Sequence, residues 1–433
     1  MKRTAMGCGK FLSSRLSGKS AYLQKACIGF SYGISFPLTL VILDFWLKDC
    51  GISNTVIGLF TFLHLPFTLK FLCGTIIEHH DLPGFLRGAD KIRCWIVISH
   101  VILIGGVVGM AFSDPGSSLP RLMFFASLTA LGDGCKSIVL YPYQIEGMMK
   151  DRLGYVAGAV GLGHKIGMIT VKVFALHTAH LFGWKTAYLF SALFIFLLMI
   201  AVLYMKPPGK NPESEGDGFV HFLNQSIKKN PLVSFGKIIR EKEGLRILSV
   251  LLLYKSADFM MQKMSKPFLL ETGFSKPEIA DIVQLFGSVS VIVGGLLGGY
   301  FIKKIGVSKA MIGFGVCHAM SFFSYLTLVK FGAVPRILAT VIFFEAFTGG
   351  CVTVAFLTFL YGICKSGSLY ALMWALHEAG GMFFMGISGI IADCMEWGTY
   401  FMLVSLMYGA VLLFLARIVF PSTGGTTGEI SCP

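Results

Sequence analysis

Charge is scarce in this sequence: 14% of the residues are Asp, Glu, Lys or Arg and 55% are hydrophobic, a balance that excludes a water-soluble domain. Short segments of strict polar and apolar alternation are missing too, which excludes a membrane β-barrel. The eleven cysteines form neither a C-x-x-C pair nor a regular framework, so neither a zinc site nor a disulfide scaffold follows, and they read as small buried apolar residues. His79 with His80 and His177 with His180 are pairs with no other ligand-type cluster close in sequence, and no metal is expected. Nothing in the pattern assembles a nucleophile with a base and an orienting partner, and there is no soluble catalytic domain, so neither an enzyme nor a cofactor is expected. A basic stretch of about 25 residues without a small-residue cleavage site precedes the first apolar run, which is therefore expected to act as an uncleaved signal.

What the sequence does have is a series of apolar runs, each roughly 18 to 25 residues long, able to cross a hydrocarbon core of about 30 Å at about 1.5 Å per helical residue. About twelve spans are predicted, over 27–46, 55–73, 94–112, 120–143, 155–179, 184–205, 246–268, 279–302, 308–330, 337–362, 368–392 and 397–419. The fold class is an all-α polytopic membrane protein. Basic residues collect before the first span, at Lys2, Arg3, Lys10, Arg15, Lys19 and Lys25. They recur in the even-numbered connections, at Arg87, Lys91 and Arg93, at Lys150 and Arg152, from Lys206 to Arg246, at Lys303, Lys304 and Lys309, and at Lys365. Membrane insertion keeps such flanks inside, which predicts that both termini are cytoplasmic. The same bias accounts for the net charge of +14 without nucleic acid as a partner, because these side chains face the headgroups of the lipid bilayer.

The polar stretch over 206–245 divides the chain. Its opening, KPPGKNPESEGDG, reads as an exposed linker, and GFVHFLNQSIKKNPLVSFGKIIRE reads as an amphipathic helix on the cytoplasmic surface. The expected organisation is a basic segment over 1–26, a six-helix half over 27–205, a cytoplasmic linker over 206–245, a second six-helix half over 246–419 and a cytoplasmic tail over 420–433. This layout resembles that of the major facilitator superfamily, in which two halves rock about a site near the bilayer midplane. Gly154, Gly158, Gly163 and Gly167 form two small-xxx-small pairs, and GGLLGG over 294–299 lines one side of its span. Helix packing explains both better than a phosphate loop, since no strand precedes either segment and no phosphate-binding lysine follows.

A charge at the bilayer centre costs about 2.5 to 3.5 kcal/mol, so each intramembrane charge should face a partner or water. Asp133 and Lys136 are three positions apart, as are Lys255 and Asp258, and each pair can neutralise itself on one helix face. Asp44, Lys165, Lys172, Glu345, His377 and Glu378 complete the inventory. Two uses are open for all of them: ion pairing between helices, and the lining of a polar translocation path.

Several blocks resemble, in order and spacing, the AmpG-type muropeptide permeases and the related acetyl-CoA transporters of that superfamily. They are GISFPLTLVILDFWLKDCGISNTVIGLF running into LPFTLKFL, then YPYQIE, LGHKIGM, LYKSAD, GFSKPEIADIV and FFEAFTGGCVTVAF. The resemblance runs from about Gly29 to about Leu415. It implies a major facilitator fold of two six-helix halves and a bacterial inner-membrane carrier that imports N-acetylglucosamine-anhydro-N-acetylmuramic acid peptides on the proton gradient. Lys70 stands where the family has the lysine of its P-x-x-x-K-F-L block. Its stem can follow apolar surface while the ammonium snorkels to the interface, as a structural anchor or part of a cytoplasmic gate.

Departures from the family matter as much. Where it has a Q-D-I-x-x-D-A-Y-R-I-E type block, Lys136, Ser137 and Tyr141 occupy the glutamine and aspartate positions and Glu146 alone is kept. The G-Y-R segment appears as Gly163, His164 and Lys165, and the acidic and basic pair closing the second span appears as Glu78 and His79. A changed substrate preference or coupling ion is the expected consequence.

For a polar solute carrying carboxylates, the candidate path comprises Lys136, Lys165, Lys172 and Lys255 as anion partners and Tyr141, Tyr143 and Trp374 as stacking faces for sugars, with Asp44, Asp133, Ser137 and His164 beside them. Proton coupling requires a carboxylate or histidine that titrates between the two facing states, and Asp258, Glu345, His377 and Glu378 are the candidates. The expected partners are thus a small anionic solute, protons and the bilayer. Two alternatives stay open: a carrier of another anionic metabolite such as acetyl-CoA or a nucleotide, and a membrane sensor that binds its ligand without moving it.

Overall fold

The computed structural model describes residues 23–68, 91–145, 153–205, 242–363 and 367–418, and every regular element among them is helical. Lipid offers no partner to backbone N–H and C=O groups, so the chain satisfies them within each helix. α1 spans Leu23–Asp49 and α2 Asn54–Phe67; α3 is Lys91–Ala111 and α4 is Leu119–Ile145. α5 and α6 are the two arms of Leu153–Leu203, which bends at Gly183 with φ of 81°. That left-handed backbone suits a residue without Cβ, and it falls between the spans predicted at 155–179 and 184–205.

The span predicted at 246–268 is broken: α7 is Lys242–Leu253, α8 is Ser256–Thr272, and Tyr254 with Lys255 forms the turn between them. α9 (Lys276–Ile305), α10 (Val307–Phe331), α11 (Pro335–Ile363), α12 (Gly367–Asp393) and α13 (Trp397–Ile418) complete the chain. Among the described residues, nine stretches are long and apolar enough to cross a membrane. The bent α5–α6 pair is one of these, while α2 and the broken α7–α8 fall short in length or continuity, which reconciles that number with the about twelve spans expected. Of the linker expected over 206–245, residues 206–241 lie outside the described residues and the last four already belong to α7, and most of the two terminal segments lie outside as well.

Packing divides the chain into two compact units, one within Met1–Ile42 and His64–His221, the other within Leu43–Leu63 and Phe222–Pro433. The chain leaves the first unit at a π-helical turn, Leu38–Ile42, and re-enters it at a 3-10 stretch, Phe60–His64. Both crossings thus fall where the regular α ladder is interrupted.

In the first unit, Ile28, Ile96, Val139, Leu140 and Val202 bring α1, α3, α4 and α6 into one apolar cluster. α1 and α5 approach closely through glycines: a Cβ on Gly29 would meet the Val160 carbonyl, and one on Gly163 the Ala26 carbonyl. Gly167 makes the same crossing, against Phe30, whereas Gly158 faces open space. The second unit repeats the device between α9 and α11, where Gly294 and Gly350 face the backbones of Phe347 and Val291. Its centre is aromatic, with the Phe268 and Phe401 rings 4.8 Å apart and Tyr325 4.9 Å from Phe401. Leu296, Leu406 and Leu413 point outward, as lipid-facing positions do.

Candidate functional site

Each unit contains one of the lysine–aspartate pairs. In the first, Lys136 Nζ lies 2.9 Å from Asp133 Oδ1, donates to the Ser31 carbonyl at 2.8 Å and donates to the Ser35 hydroxyl. Ser35 in turn donates to Asp133. An ammonium has three N–H groups, and here each has a protein acceptor. Lys136 is 1% exposed and Asp133 3%. Tyr32 closes the cluster with its ring 5.9 Å from the ammonium and its hydroxyl donating to the Ser137 carbonyl at 2.6 Å. The Ser137 hydroxyl bonds back to the Gly134 carbonyl of its own helix at 2.7 Å. On α5, His164 and Lys172 are partly buried and Lys165 is exposed.

The pair of the second unit sits at the break between α7 and α8. Lys255 Nζ lies 3.0 Å from Asp258 Oδ2 and donates to the Thr353 hydroxyl at 3.1 Å. Its remaining N–H has no acceptor among the described residues, and the side chain is 12% exposed. Asp258 uses its other oxygen, Oδ1, toward His318 Nε2 at 3.4 Å, and His318 Nδ1 lies 2.8 Å from the Thr348 hydroxyl. One turn away on α11, Glu345 accepts from the Tyr325 hydroxyl at 3.1 Å. The cluster thereby joins α8, α10 and α11. Sequence reasoning missed His318, which stands in the apolar run GVCHAMSFF; the available signal was a polar side chain in an otherwise apolar span.

A run of rings lies along α11 and α12. His377 is buried, with Nδ1 2.9 Å from the Leu251 carbonyl and its ring 4.4 Å from Phe356 and 5.6 Å from Trp374. Trp374 stacks with Tyr370 at 6.2 Å, and Tyr370 with Tyr361 at 5.2 Å. Glu378, beside His377, is partly buried.

Asp44 belongs to a separate network in the second unit. It is 0% exposed and receives Lys263 at 2.7 Å and Lys266 at 2.8 Å, two lysines that the sequence reading did not single out although their i,i+3 spacing places them on one face. Lys48 pairs with Glu271 and Lys276 with Asp49, the latter at 2.8 Å. Asp393 accepts the backbone N–H groups of Asn54 and Thr55 at 3.1 and 2.7 Å. Together these hold Leu43–Leu63 against α8, α9 and α12. Lys70, Glu78 and Glu146 lie outside the described residues, as do the side chains of Tyr141 and Tyr143. Among the described residues no group of three His, Cys, Asp or Glu is placed to hold a metal.

Residues 26–373 match the sequence profile of the Major Facilitator Superfamily. The chain is 25% identical over 398 residues to the anhydromuropeptide permease of Escherichia coli (strain K12), an alignment that covers 90% of this chain and 78% of that one. It is 26% identical over 404 residues to AmpG 1, a candidate transporter of Rickettsia bellii (strain RML369-C), with 90% and 96% covered. Among solved structures, the nucleoside transporter NupG superposes with a TM-score of 0.72 at 11% identity, over 92% of this chain and 99% of that one. A D-xylose-proton symporter superposes with a TM-score of 0.64 at 16% identity, over 94% and 98%. Likeness at such identities is likeness of fold.

Proposed function

The chain belongs to the Major Facilitator Superfamily and is a multi-pass membrane transporter, and from that premise we propose that it imports anhydro-muropeptides across a bacterial inner membrane by proton-coupled alternating access, with both termini in the cytoplasm. The observation that carries the substrate class is the Lys255 ammonium, which Asp258 and Thr353 hold in place while one N–H has no acceptor among the described residues. A fixed cation at a helix break inside the membrane is suited to receive a carboxylate, as broken helices of transporters do. Trp374, Tyr370 and Tyr361 offer faces on which sugar rings stack. The name of the Escherichia coli relative supports a muropeptide as the solute that has both features.

In this reading the Asp133–Lys136 pair fastens α4 to α1 and binds no solute, because its hydrogen bonds are already used within the protein. His164, Lys165 and Lys172 of α5 are the candidate anion partners in the first unit. The coupling group is sought around Asp258 and Glu345, which share the α8–α10–α11 cluster, ahead of His377 and Glu378. A second reading follows from the same ammonium: its open N–H donates to a phosphate as readily as to a carboxylate, which admits a phosphate-bearing solute such as an acyl-CoA or a nucleotide.

The test is uptake of radiolabelled anhydro-muropeptide into sealed proteoliposomes, with and without an inward proton gradient. Gradient-dependent accumulation is expected. Absence of uptake under conditions where the Escherichia coli permease transports would overturn the muropeptide assignment, and binding without flux would make the protein a sensor.

A further inference from the structure

Resting on the transport reading above, we propose that Lys263 and Lys266 form a second anion site, which the Asp44 carboxylate occupies in this structure and which a carboxylate of the incoming solute takes over from it. The donors come from α8 and the occupant from α1. Each oxygen of Asp44 receives one ammonium, Lys263 at 2.7 Å and Lys266 at 2.8 Å. Lys263 is 1% exposed, yet Asp44 is its one acceptor among the described residues, which leaves two N–H groups of a buried ammonium unfilled. Charge is left over as well. The charges that act on Lys263 are Asp44 and Lys266, and the three groups sum to one positive charge. The neighbouring pairs, Lys48 with Glu271 and Lys276 with Asp49, are each neutral by themselves. Buried ammoniums are ordinarily paired and fully hydrogen-bonded, so a surplus of both donors and charge marks an anion site that one carboxylate only partly fills.

The occupant is built to leave. Among the described residues the hydrogen bonds of Asp44 run to these two ammoniums alone, whereas Asp133 also accepts from Ser35 and Asp393 accepts from two backbone N–H groups. Asp44 follows the π-helical turn Leu38–Ile42 by two residues, and its segment ends at the 3-10 stretch Phe60–His64, so an interrupted ladder bounds it on both sides. In the orientation proposed above, α8 ends outside the cytoplasm at Thr272. Lys266 and Lys263 lie six and nine residues before that end, about 9 and 14 Å along the axis, and Lys255 is about 12 Å deeper than Lys263. Lys255, Gln262 and Lys266 recur at i, i+7 and i+11 and so share one face. Along it Lys266 is 14% exposed, and Gln262 is exposed and gives a hydrogen bond to Asp258. A solute entering from outside therefore meets Lys266 and Lys263 before Lys255. Asp44 competes as a tethered ligand, so a solute with one carboxylate displaces it poorly, while one whose two carboxylates span about 12 Å gains Lys255 as well.

The experiment measures initial rates of radiolabelled anhydro-muropeptide uptake by the full chain in proteoliposomes, for wild type, Lys263→Met and Asp44→Asn. Lys263→Met should raise KM about tenfold, while its unfolding temperature in detergent does not fall, since Lys266 still pairs with Asp44. Asp44→Asn removes the competing carboxylate and should lower KM at least about threefold, a direction that a merely structural ion pair does not produce. KM unchanged in Lys263→Met, or unchanged or raised in Asp44→Asn, overturns the proposal; Lys263→Met decides by itself if Asp44→Asn does not purify as folded protein. A second arm needs no substrate: the unfolding temperature of Asp44→Asn in sodium acetate is compared with that in sodium chloride at equal ionic strength. Acetate should raise it by about 2 °C or more, and the gain should vanish when Lys263→Met is added. Equal unfolding in the two salts overturns the anion site. Should wild type take up no muropeptide while acetate stabilises Asp44→Asn through Lys263, the substrate reading fails and the anion site stands.

Discussion

The two buried lysine–aspartate pairs have the same residue types at the same spacing and sit in different chemistry. Asp133 and Lys136 lie on the continuous helix α4, and Asp133 together with the Ser31 carbonyl and Ser35 hydroxyl of α1 uses every hydrogen of the ammonium. Lys255 and Asp258 flank a helix break, where one ammonium hydrogen is left over and the carboxylate is shared with a histidine. A charge inside a membrane span is therefore not a functional signal by itself. What separates a fastening from a working site is whether the protein supplies all of its partners: a fully satisfied pair offsets its desolvation and has nothing left to offer, while an incompletely satisfied one is poised for a ligand.

The largest effect is expected from breaking the sealed pair on one side. Lys136→Met leaves the Asp133 carboxylate buried and unpaired, which costs about 3 to 5 kcal/mol. Thermal unfolding in detergent measures that loss, and adding Asp133→Asn should restore most of it, since the two sites couple directly. Next comes Asp258→Asn, which removes the group that Lys255 and His318 share. Uptake should fall about 100-fold with little change in unfolding temperature, so that the two pairs fail in different assays.

Trp374→Ala sharpens the comparison by touching only the ring face beside the second site. The KM for a sugar-containing solute should rise roughly threefold to tenfold with maximal rate nearly unchanged, as initial-rate kinetics would show. The smallest effect is expected at Lys266, whose loss still leaves Lys263 on Asp44. Lys266→Met should cost about 1 kcal/mol or less in the same unfolding assay, because that lysine is 14% exposed and partly screened.

Much of the architecture was legible because bilayer thickness fixes the length of each apolar run, so span positions follow from composition alone. The bend at Gly183 was readable for a local reason too, a glycine between two runs. The i,i+3 geometry of 133/136 and 255/258 needs no more than one helix turn. What the sequence hid are meetings across the chain. Asp44 and Lys263 are separated by 219 positions, and Asp258 and His318 by 60, so no local spacing announces either contact. The break in α7–α8 was hidden as well, since LYKSAD contains neither proline nor glycine and reads as part of one continuous span. Gly29 was passed over because a single glycine in an apolar run acquires meaning only from the helix opposite it, here α5.

The central claim is the division of labour between the pairs, and the most direct measurement is exchange uptake of radiolabelled anhydro-muropeptide by two charge-neutral double variants reconstituted side by side. Asp133→Asn with Lys136→Met should transport within about threefold of wild type, whereas Lys255→Met with Asp258→Asn should not transport at all. Transport lost in the first and kept in the second would contradict the account.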